Sequence, residues 1–246
     1  MVVPTRALEP DVLASLGRLR ARCPHAEIIV VEPDDLGRSA PEPALAERLA
    51  ELGTRYTTGP RGRGTQCNAG AQATGAPFVM FLHDDTTLPD EVNEALARAF
   101  GDPATEAVCF RLNFDRRHWL LATYAFFSRL ETVWTTFGDQ AITMRRSTYQ
   151  RLGGFPAWPL FEDVAMTRAL RRQGLLRKLP CAVTTSARRF YDNGIVVQQW
   201  RNAVLLARFL AGASPWRLAR HYDATLAGRP TAGNPEADTL SNRSHQ

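Results

Sequence analysis

VMFLHDDTTLPDE, residues 79–91, is an apolar run that ends abruptly in three polar side chains, His83, Asp84 and Asp85. A helix is predicted to begin near Pro89, because proline is favoured in the first turn of a helix. A strand, a polar loop and a helix in this order form the repeating unit of layered α/β proteins. The polar residues have two interpretations: a metal site, or a helix cap made by Asp84 or Asp85.

Similar units occur throughout the first half of the chain. The apolar runs MVVPT, AEIIVV, PFVMFL and AVCFRL are near-continuous, as expected of strands that are buried on both faces of a sheet. Amphipathic segments at residues 10–22, 42–52, 64–74 and 89–100 are predicted to be helices. The alternation predicts an α/β fold, Rossmann-like, with a mostly parallel central sheet flanked by helices.

The second half has a less regular pattern. Helices are predicted at residues 119–137, 162–173 and 195–211, and the first of these is rich in aromatic residues. We expect that aromatic segment to form core or the wall of a substrate pocket. The apolar stripe of residues 195–211, which includes Val196, Trp200 and Val204, is expected to pack on the core, although an interfacial membrane helix has the same pattern. Residues 226–246 are polar and are predicted to be disordered.

The composition is that of a soluble globular protein with a single domain. The chain has 246 residues, 44% of them hydrophobic, and a formal charge of +5 that favours anionic partners. Its four cysteines have no metal-binding spacing and indicate reduced thiols in a cytoplasmic protein. No signal peptide is expected from the N-terminal residues, and no apolar run approaches the roughly 20 residues of a membrane span.

The segment GPRGRGTQCNAGAQATG, residues 59–75, is a candidate phosphate site. Its glycines and arginines lead into a predicted helix, whose free N-H groups and positive dipole end suit a phosphate or diphosphate. It lacks the Gly-Lys-Ser/Thr ending of a Walker A loop. A flexible surface loop is the alternative interpretation.

Three further positions combine polar residues with a predicted element end. Glu162 and Asp163 open the helix 162–173, where acidic residues favour the helix dipole; a carboxylate there is also placed to act as a general base. Asp139 and Gln140 are suited either to binding sugar hydroxyls or to capping a strand. Arg188 and Arg189 in TTSARRF are suited to neutralising a diphosphate, or lie on a solvated surface.

Taken together, these motifs have an informative order and separation. VVPTR, EIIVVEPDD, GRGTQCNAGAQATG, FLHDDTTLP, GDQAI, LGGFP and LFEDVAMTRALRRQG resemble the inverting family 2 glycosyltransferases with the GT-A fold, over roughly residues 1–222. Within that family the chain is most similar to a compact bacterial subgroup in which LHADT replaces the Asp-x-Asp motif. That subgroup is associated with radical SAM proteins and arsenosugar biosynthesis.

The resemblance implies a mechanism. A nucleotide-diphosphate sugar donor would bind with a divalent cation, Mn²⁺ or Mg²⁺, which His83 and Asp85 would hold at the positions of the Asp-x-Asp motif. Asp163 would be the general base that takes a proton from an acceptor hydroxyl of unknown identity, with Glu162 as its neighbour. Transfer would then invert the anomeric configuration in one displacement.

The resemblance also implies donor-binding positions and a domain layout. The residues expected near the base and ribose are Thr5, Glu32 and Asp34. Those expected near the nucleotide or diphosphate are Arg63, Gln66, Asn68, Asp84, Arg188 and Arg189, and those expected near a sugar are Asp139 and Gln140. Residues 1–225 would form one catalytic domain, with a nucleotide-binding half at 1–113 and an acceptor half at 114–225.

Two other functions fit parts of the pattern. A nucleotidyltransferase that makes a nucleotide sugar also uses acidic metal ligands, but it would more naturally have a Gly-rich loop after the first strand, which VVPTRALEP lacks. A non-catalytic nucleic-acid binder would use the basic charge, but a basic stripe with interleaved aromatics is not apparent, and nucleic acid is not an expected partner. Peripheral membrane contact is possible from the pattern but not the favoured interpretation.

Overall fold

The computed structural model describes residues 1–37, 40–132, 135–136 and 138–220; the side chains of Arg189 and Asn193 fall outside this description. The predicted disordered tail, 226–246, also lies outside the described residues and stays a prediction, as does the division of residues 1–225 into two halves.

The described part of the chain alternates strands and helices through its first half, as predicted. The strands are β1 (Val2–Pro4), β2 (Ile28–Pro33), β3 (Thr54–Gly59), β4 (Phe78–Phe81), β5 (Thr86–Thr87), β6 (Ala107–Phe114), β7 (Ile142–Arg145) and β8 (Leu176–Thr185). The α-helices are α1 (Pro10–Arg22), α2 (Pro43–Glu51), α3 (Arg63–Gln72), α4 (Val92–Phe100), α5 (Trp119–Phe127), α6 (Arg146–Arg151), α7 (Glu162–Arg172), α8 (Arg188–Asn193) and α9 (Ile195–Leu210). Short 3-10 helices occupy Asp34–Leu36 and Gly138–Gln140.

The strands form one sheet, in the order β3-β2-β1-β4-β7-β6-β8-β5. Within the described residues β1 pairs in parallel with β2 and β4, β2 with β3, and β6 with β8. The pairings β4-β7, β6-β7 and β5-β8 are antiparallel. The parallel strands β3, β2, β1 and β4 therefore point their carboxyl ends to a single edge of the sheet.

Helices cover both faces of this sheet. Alternate strand residues belong to separate cores: Val3 and Val30 pack with α1, whereas Val2 and Val31 pack with α3. The six residues of β2 are all buried, in agreement with the near-continuous apolar run in the sequence. The predicted layered α/β fold is confirmed.

Helix α3 lies unusually close to the sheet at Gly70. A Cβ atom on Gly70 would lie 2.4 Å from Val2 Cγ1 and 2.9 Å from Val31 Cγ2, so only glycine permits this approach. The close packing fixes α3 against β1 and β2. It thereby places the N-terminus of α3 at the carboxyl edge of the sheet.

Strands β3 and β8 are among those that were not predicted. The sequence of β3, TRYTTG, has no apolar run, because β3 lies at the end of the sheet order and is only partly buried. The sequence of β8 contains Pro180, which is unfavourable inside a strand. The register between β6 and β8 shifts between Cys109 and Arg111, and this irregularity accommodates the proline.

The predicted helix 119–137 is too long. Helix α5 ends at Phe127, and Lys178 of β8 donates to the carbonyl oxygens of Ser128 at 2.6 Å and Leu130 at 2.9 Å. These carbonyls follow the last turn of the helix, where a cation is favoured. Residue 137 lies outside the described residues.

The apolar stripe of α9 faces away from the core. Val196, Trp200 and Val204 are 66%, 73% and 37% exposed, whereas Leu206 and Phe209 are buried. The expectation that the stripe packs on the core is therefore wrong, because the opposite side of α9 also carries large apolar residues and those make the contact. None of the described helices has the length and apolar character needed to cross a membrane.

Candidate functional site

The candidate site lies where the carboxyl ends of β1, β2 and β4 meet. The residues that follow β4 are Leu82 and then His83, Asp84 and Asp85. Strand β7 runs antiparallel to β4, with Ile142 opposite Phe81. The segment that enters β7, Gly138–Gln140, therefore meets the residues that leave β4. Ligands of open α/β sheets bind at such an edge.

Distant segments converge there around a cavity of about 10 Å³. Its polar lining residues are Arg63, His83, Glu162 and Asp163, with the backbone of Gly138 beside them. They come from the start of α3, the end of β4, the start of α7 and the approach to β7. The structure thus brings together the HDD and ED motifs, which are separated by almost 80 residues in the sequence.

Asp163 is half-buried and is held by two backbone amides. Gly138 N donates to Asp163 Oδ2 at 2.6 Å, and Val164 N donates to Asp163 Oδ1 at 2.8 Å. A Cβ atom on Gly138 would lie 2.9 Å from Asp163 Oδ2 and 3.2 Å from His83 Nε2. A side chain at position 138 would displace one of these groups, so the glycine is a site residue that the sequence did not single out.

Glu162 is buried beside Arg63. Its carboxylate Oε1 lies 3.8 Å from Arg63 NH1, and the Arg63 side chain is 40% exposed whereas that of Glu162 is 5% exposed. Burial, and then the charge of Asp163, raise the pKa of Glu162 to about 7 even though Arg63 lowers it. Glu162 therefore carries a proton for part of the time near neutral pH.

Asp139 lies in the same electrostatic environment. Burial, followed by the charges of Asp163 and Asp85, raises its pKa to about 7. Its Oδ1 atom is buried without a hydrogen-bond partner among the described residues. An unsatisfied carboxylate oxygen of this kind is suited to receive a hydroxyl from a ligand.

Gln140, the residue after Asp139, is fully buried. Its Nε2 donates to Thr135 O at 2.7 Å, while its Oε1 has no hydrogen-bond partner within the described part of the chain. One end of this amide thus supports the loop that enters β7. Contact of Gln140 with a sugar stays a prediction.

The raised pKa values of Glu162 and Asp139 predict a pH-dependent stability. The ordinary pKa values are 4.5 for Glu162 and 3.8 for Asp139, and both are about 7 in the folded protein. At a pH between the ordinary and the folded-state pKa, the folded protein therefore binds more protons than the unfolded chain. The contribution of these two protonated carboxyl groups to the free energy of unfolding is complete below the unfolded-state pKa and is lost as pH rises through about 7. The variants Asp139→Asn and Glu162→Gln lack this titration. The melting temperature of each variant minus that of the wild type should therefore increase as pH rises from about 5 to about 8.

Differential scanning fluorimetry across this pH range measures the effect. Glu47→Gln is the matched control, because Glu47 is an exposed carboxylate of α2. Its melting temperature should follow the wild type at every pH. A constant offset between the wild type and both site variants would contradict the prediction.

Asp84 and Asp85 differ in their surroundings. Thr5 Oγ1 donates to Asp84 Oδ2 at 2.7 Å, which ties Asp84 to the end of β1. Asp85 is exposed, and Thr185 Oγ1 at the end of β8 donates to its Oδ1 at 3.5 Å. Asp84 thus has a contact inside the protein, and its contact with a donor stays a prediction; Asp85 is the more exposed of the two carboxylates.

The described residues contain no group of three or more His, Cys, Asp and Glu side chains that would hold a metal ion by themselves. Mg²⁺ in phosphate chemistry is commonly held by only one or two carboxylates together with substrate phosphates and water. The exposed Asp85, with His83 two residues before it, fits such a substrate-assisted site.

Glu32 is fully buried and links the loop after β1 to strand β3 at the predicted ribose side. It accepts hydrogen bonds from Leu8 N at 2.8 Å and from Tyr56 Oη at 3.0 Å. Asp34, in contrast, is exposed in the 3-10 helix that follows β2. Their contacts with a base or ribose stay predictions, and Asp34 is the more accessible of the two.

Two predicted donor-binding amides are engaged inside the protein. Gln66 Nε2 donates to Thr5 O and to Val31 O, both at 2.7 Å. Asn68 Oδ1 accepts from Tyr149 Oη at 2.6 Å and from Phe155 N at 2.9 Å. These bonds tie α3 to β1, β2 and the turn after α6. Direct contact of Gln66 or Asn68 with a nucleotide stays a prediction.

Arg188 lies at the outer side of this edge. Its NH1 atom is 3.4 Å from Asp11 Oδ2 at the start of α1, and its side chain is 70% exposed. The backbone of Arg189 belongs to α8, but its side chain lies outside the described residues. Closure of the arginine pair over a diphosphate stays a prediction.

Tyr124 of α5 was not singled out in the sequence. Burial, followed by the charges of Asp139 and Asp163, raises the pKa of Tyr124 well above its ordinary value. The phenol thus lies near the carboxylates of the site. The aromatic composition of residues 119–137 predicted that this segment forms core or the wall of a pocket. It did not distinguish Tyr124 from the other aromatic residues of the segment.

Comparisons with known proteins bear on the fold and the family. The model of the family "Glycosyl transferase family 2" matches residues 1–175. No curated protein matches the chain. The S. aureus protein TarS, residues 1–349, is a similar solved structure, with a TM-score of 0.58 at 16% identity over 78% of this chain and 61% of that one.

Two ligand complexes are also similar. TarS 1–349 in complex with UDP-GlcNAc has a TM-score of 0.56 at 14% identity, over 75% of this chain and 57% of that one. Glucosyl-3-phosphoglycerate synthase from Mycobacterium tuberculosis in complex with UDP has a TM-score of 0.50 at 13% identity, over 74% of this chain and 69% of that one. The chain thus spans less than two thirds of the TarS structures.

These likenesses confirm the expected GT-A fold. The resemblance to the bacterial subgroup associated with radical SAM proteins stays a prediction. The family model covers well over half of the 246 residues. The chain therefore belongs to glycosyl transferase family 2.

Proposed function

We propose that the protein is an inverting, metal-assisted glycosyltransferase that moves a sugar from a nucleotide-diphosphate donor to an acceptor hydroxyl. The observation that carries this proposal is the convergence of Asp139, Glu162 and Asp163 beside His83 and Arg63 at the carboxyl edge of the sheet. The solved structures of similar fold that hold UDP-GlcNAc and UDP support a nucleotide-diphosphate donor.

Asp163 is the proposed general base. Each of its oxygens accepts one backbone N-H, and a carboxylate has about four lone-pair sites, so both oxygens keep capacity for a further proton or hydrogen bond. Asp163 would take the proton of the acceptor hydroxyl while that oxygen attacks the anomeric carbon. The new C-O bond forms as the bond to the diphosphate breaks, and the bonding pair leaves with the diphosphate. Attack from the opposite face inverts the configuration.

The neighbours of Asp163 have supporting roles in this proposal. Glu162 with its raised pKa lowers the negative charge near the base, and its pairing with Arg63 ties α7 to the start of α3. The buried Oδ1 of Asp139 would accept a hydroxyl of the transferred or the accepting sugar. Arg63 is partly exposed and is the nearby cation proposed to face the diphosphate.

Asp85, with His83, is proposed to hold the divalent cation. When bound, the cation supplies positive charge that stabilises the leaving diphosphate. The cluster of carboxylates favours transfer over nucleic-acid binding, because a nucleic-acid binder has no need of them. A cytoplasmic location is part of the proposal; all four cysteines are free thiols, which agrees with it.

A thermal-shift screen of nucleotide sugars with Mn²⁺ and with Mg²⁺ tests the proposed donor class. A donor at about 100 times its Kd should stabilise the protein by about 2.7 kcal/mol and raise the melting temperature. The same donors with chelator, and the free sugars, are the controls and should give smaller shifts. Absence of a shift with every nucleotide sugar would contradict the proposal.

A further inference from the structure

Helix α9 presents an apolar side to the solvent. We name as the outer face of α9 the exposed residues Val196, Val197, Trp200, Ala203, Val204 and Ala207. Their spacings of three and four residues place them on one side of the helix. Trp200 is 73% exposed and Val196 is 66% exposed, so the largest apolar groups of the face have no cover among the described residues.

The opposite side of α9 is firmly attached to the protein. Leu206 and Phe209 are buried in a cluster with Val164 of α7 and with Leu218. Phe209 also stacks on Phe161, with ring centroids 4.7 Å apart. Because this opposite side of α9 is packed against the protein, the outer face points to the solvent.

The charged residues of α9 and of the segment that follows it all have one sign. The segment GIVVQQWRNAVLLARFLAGASPWRLAR, residues 194–220, contains four arginines and neither Asp nor Glu. Arg201 and Arg208 are seven residues apart and lie on the same side of α9, next to the outer face. Trp216, which is 58% exposed, and the exposed Arg217 and Arg220 follow in the next helical segment.

An apolar helix face that carries tryptophan, on a helix whose charged residues are all arginines, is complementary to an anionic lipid surface. Tryptophan is favoured at the boundary between lipid and water, and long arginine side chains reach phosphate groups while their stems stay apolar. We propose that the outer face of α9 docks the protein on an anionic bilayer surface, with α9 parallel to the membrane.

Docking through α9 would also fix the orientation of the candidate site. Phe161, on which Phe209 stacks, directly precedes Glu162 and Asp163 at the start of α7. The inner side of α9 thus contacts Phe161, two residues before the proposed base, and its outer side would contact the bilayer. The docking proposal does not depend on glycosyl transfer, because its test measures only binding.

Co-sedimentation of the full chain with vesicles tests the proposal. Binding to vesicles of phosphatidylcholine with about one third phosphatidylglycerol should exceed binding to pure phosphatidylcholine, and should weaken as salt is raised. Trp200→Asp should lower the partition coefficient at least tenfold, since it removes a large apolar group and adds a charge on the lipid side. Arg208→Glu should lower it at least about fivefold, the effect of one basic residue near the surface.

Trp119→Asp is the matched control, because Trp119 of α5 is also tryptophan and is 71% exposed. It should bind vesicles as the wild type does. Thermal unfolding of each variant should match the wild type, since the replaced side chains are exposed. Equal binding to neutral and anionic vesicles, or an equal loss for Trp119→Asp and Trp200→Asp, would overturn the proposal.

Other occupants of the outer face give different results. If a second copy of the chain covers it, light scattering will show a dimer that Trp200→Asp converts to a monomer, without vesicle binding by the wild type. If residues 221–246 cover it, the full chain will not bind anionic vesicles. Either result would overturn docking on lipid.

Discussion

Asp163→Asn is expected to lower kcat for glycosyl transfer by about 10²- to 10⁴-fold, the usual contribution of a general base. Asparagine keeps the size of the side chain and an oxygen that accepts from Gly138 N, which in the wild type donates to Asp163 Oδ2 at 2.6 Å. The substitution removes the carboxylate that accepts the proton of the acceptor hydroxyl. The loss should therefore fall on kcat, while the affinity for the donor stays close to that of the wild type.

Steady-state kinetics with a donor identified by the thermal-shift screen, combined with donor titration by calorimetry, separates the two quantities. Glu94→Gln is a suitable control, because Glu94 is an exposed acidic residue in the first turn of α4, as Asp163 is an acidic residue in the first turn of α7. Its kcat should equal that of the wild type. A wild-type kcat for Asp163→Asn would exclude Asp163 as the base.

The buried strands and most helices were predictable, because their apolar periodicity is local. Helix α1 was predicted at residues 10–22 and spans Pro10–Arg22. The start of α5 at Trp119 was predicted, but its C-terminal end was not, because the segment after Phe127 is held by Lys178, some 50 residues later in the chain. The helix propensity of the segment itself carries no information about a partner so far away in the sequence.

The roles of polar residues were less predictable than their positions. Gln66 and Asn68 are expected to face a nucleotide, which stays a prediction; in the structure their amides bond to Thr5, Val31 and Phe155, at separations of 61, 35 and 87 residues. Which of these partners a polar side chain meets is decided by the packing of α3 on the sheet. The proximity of Gly138 to Asp163 depends in the same way on the register of β7 with β4.

The orientation of α9 illustrates a related limit. One side of the helix carries Val196, Trp200 and Val204, and the other carries Leu206 and Phe209. Both stripes are apolar at helical spacing, so amphipathicity alone does not say which one meets the core. The structure decides it through the apolar partners that α7 offers to Phe209.

The second large effect is expected at Asp85. Asp85→Asn should raise the Mn²⁺ or Mg²⁺ concentration needed for half-maximal transfer by about 10²-fold or more, as the loss of a charged ligand costs several kcal/mol. The reason is the exposure of Asp85 at the edge of the sheet, where its Oδ1 accepts from Thr185 Oγ1 at 3.5 Å. Cation titrations of the initial transfer rate measure the shift.

Asp84→Asn provides the matched control for Asp85→Asn. The asparagine oxygen at position 84 can still accept the hydrogen bond from Thr5 Oγ1, which in the wild type is 2.7 Å from Asp84 Oδ2. The scaffold would then persist, and the cation requirement should change far less than in Asp85→Asn. If the two variants shift the cation requirement equally, overall negative charge of the loop rather than ligation by Asp85 attracts the cation. If neither shifts it, the cation is held by residues other than those of the HDD motif.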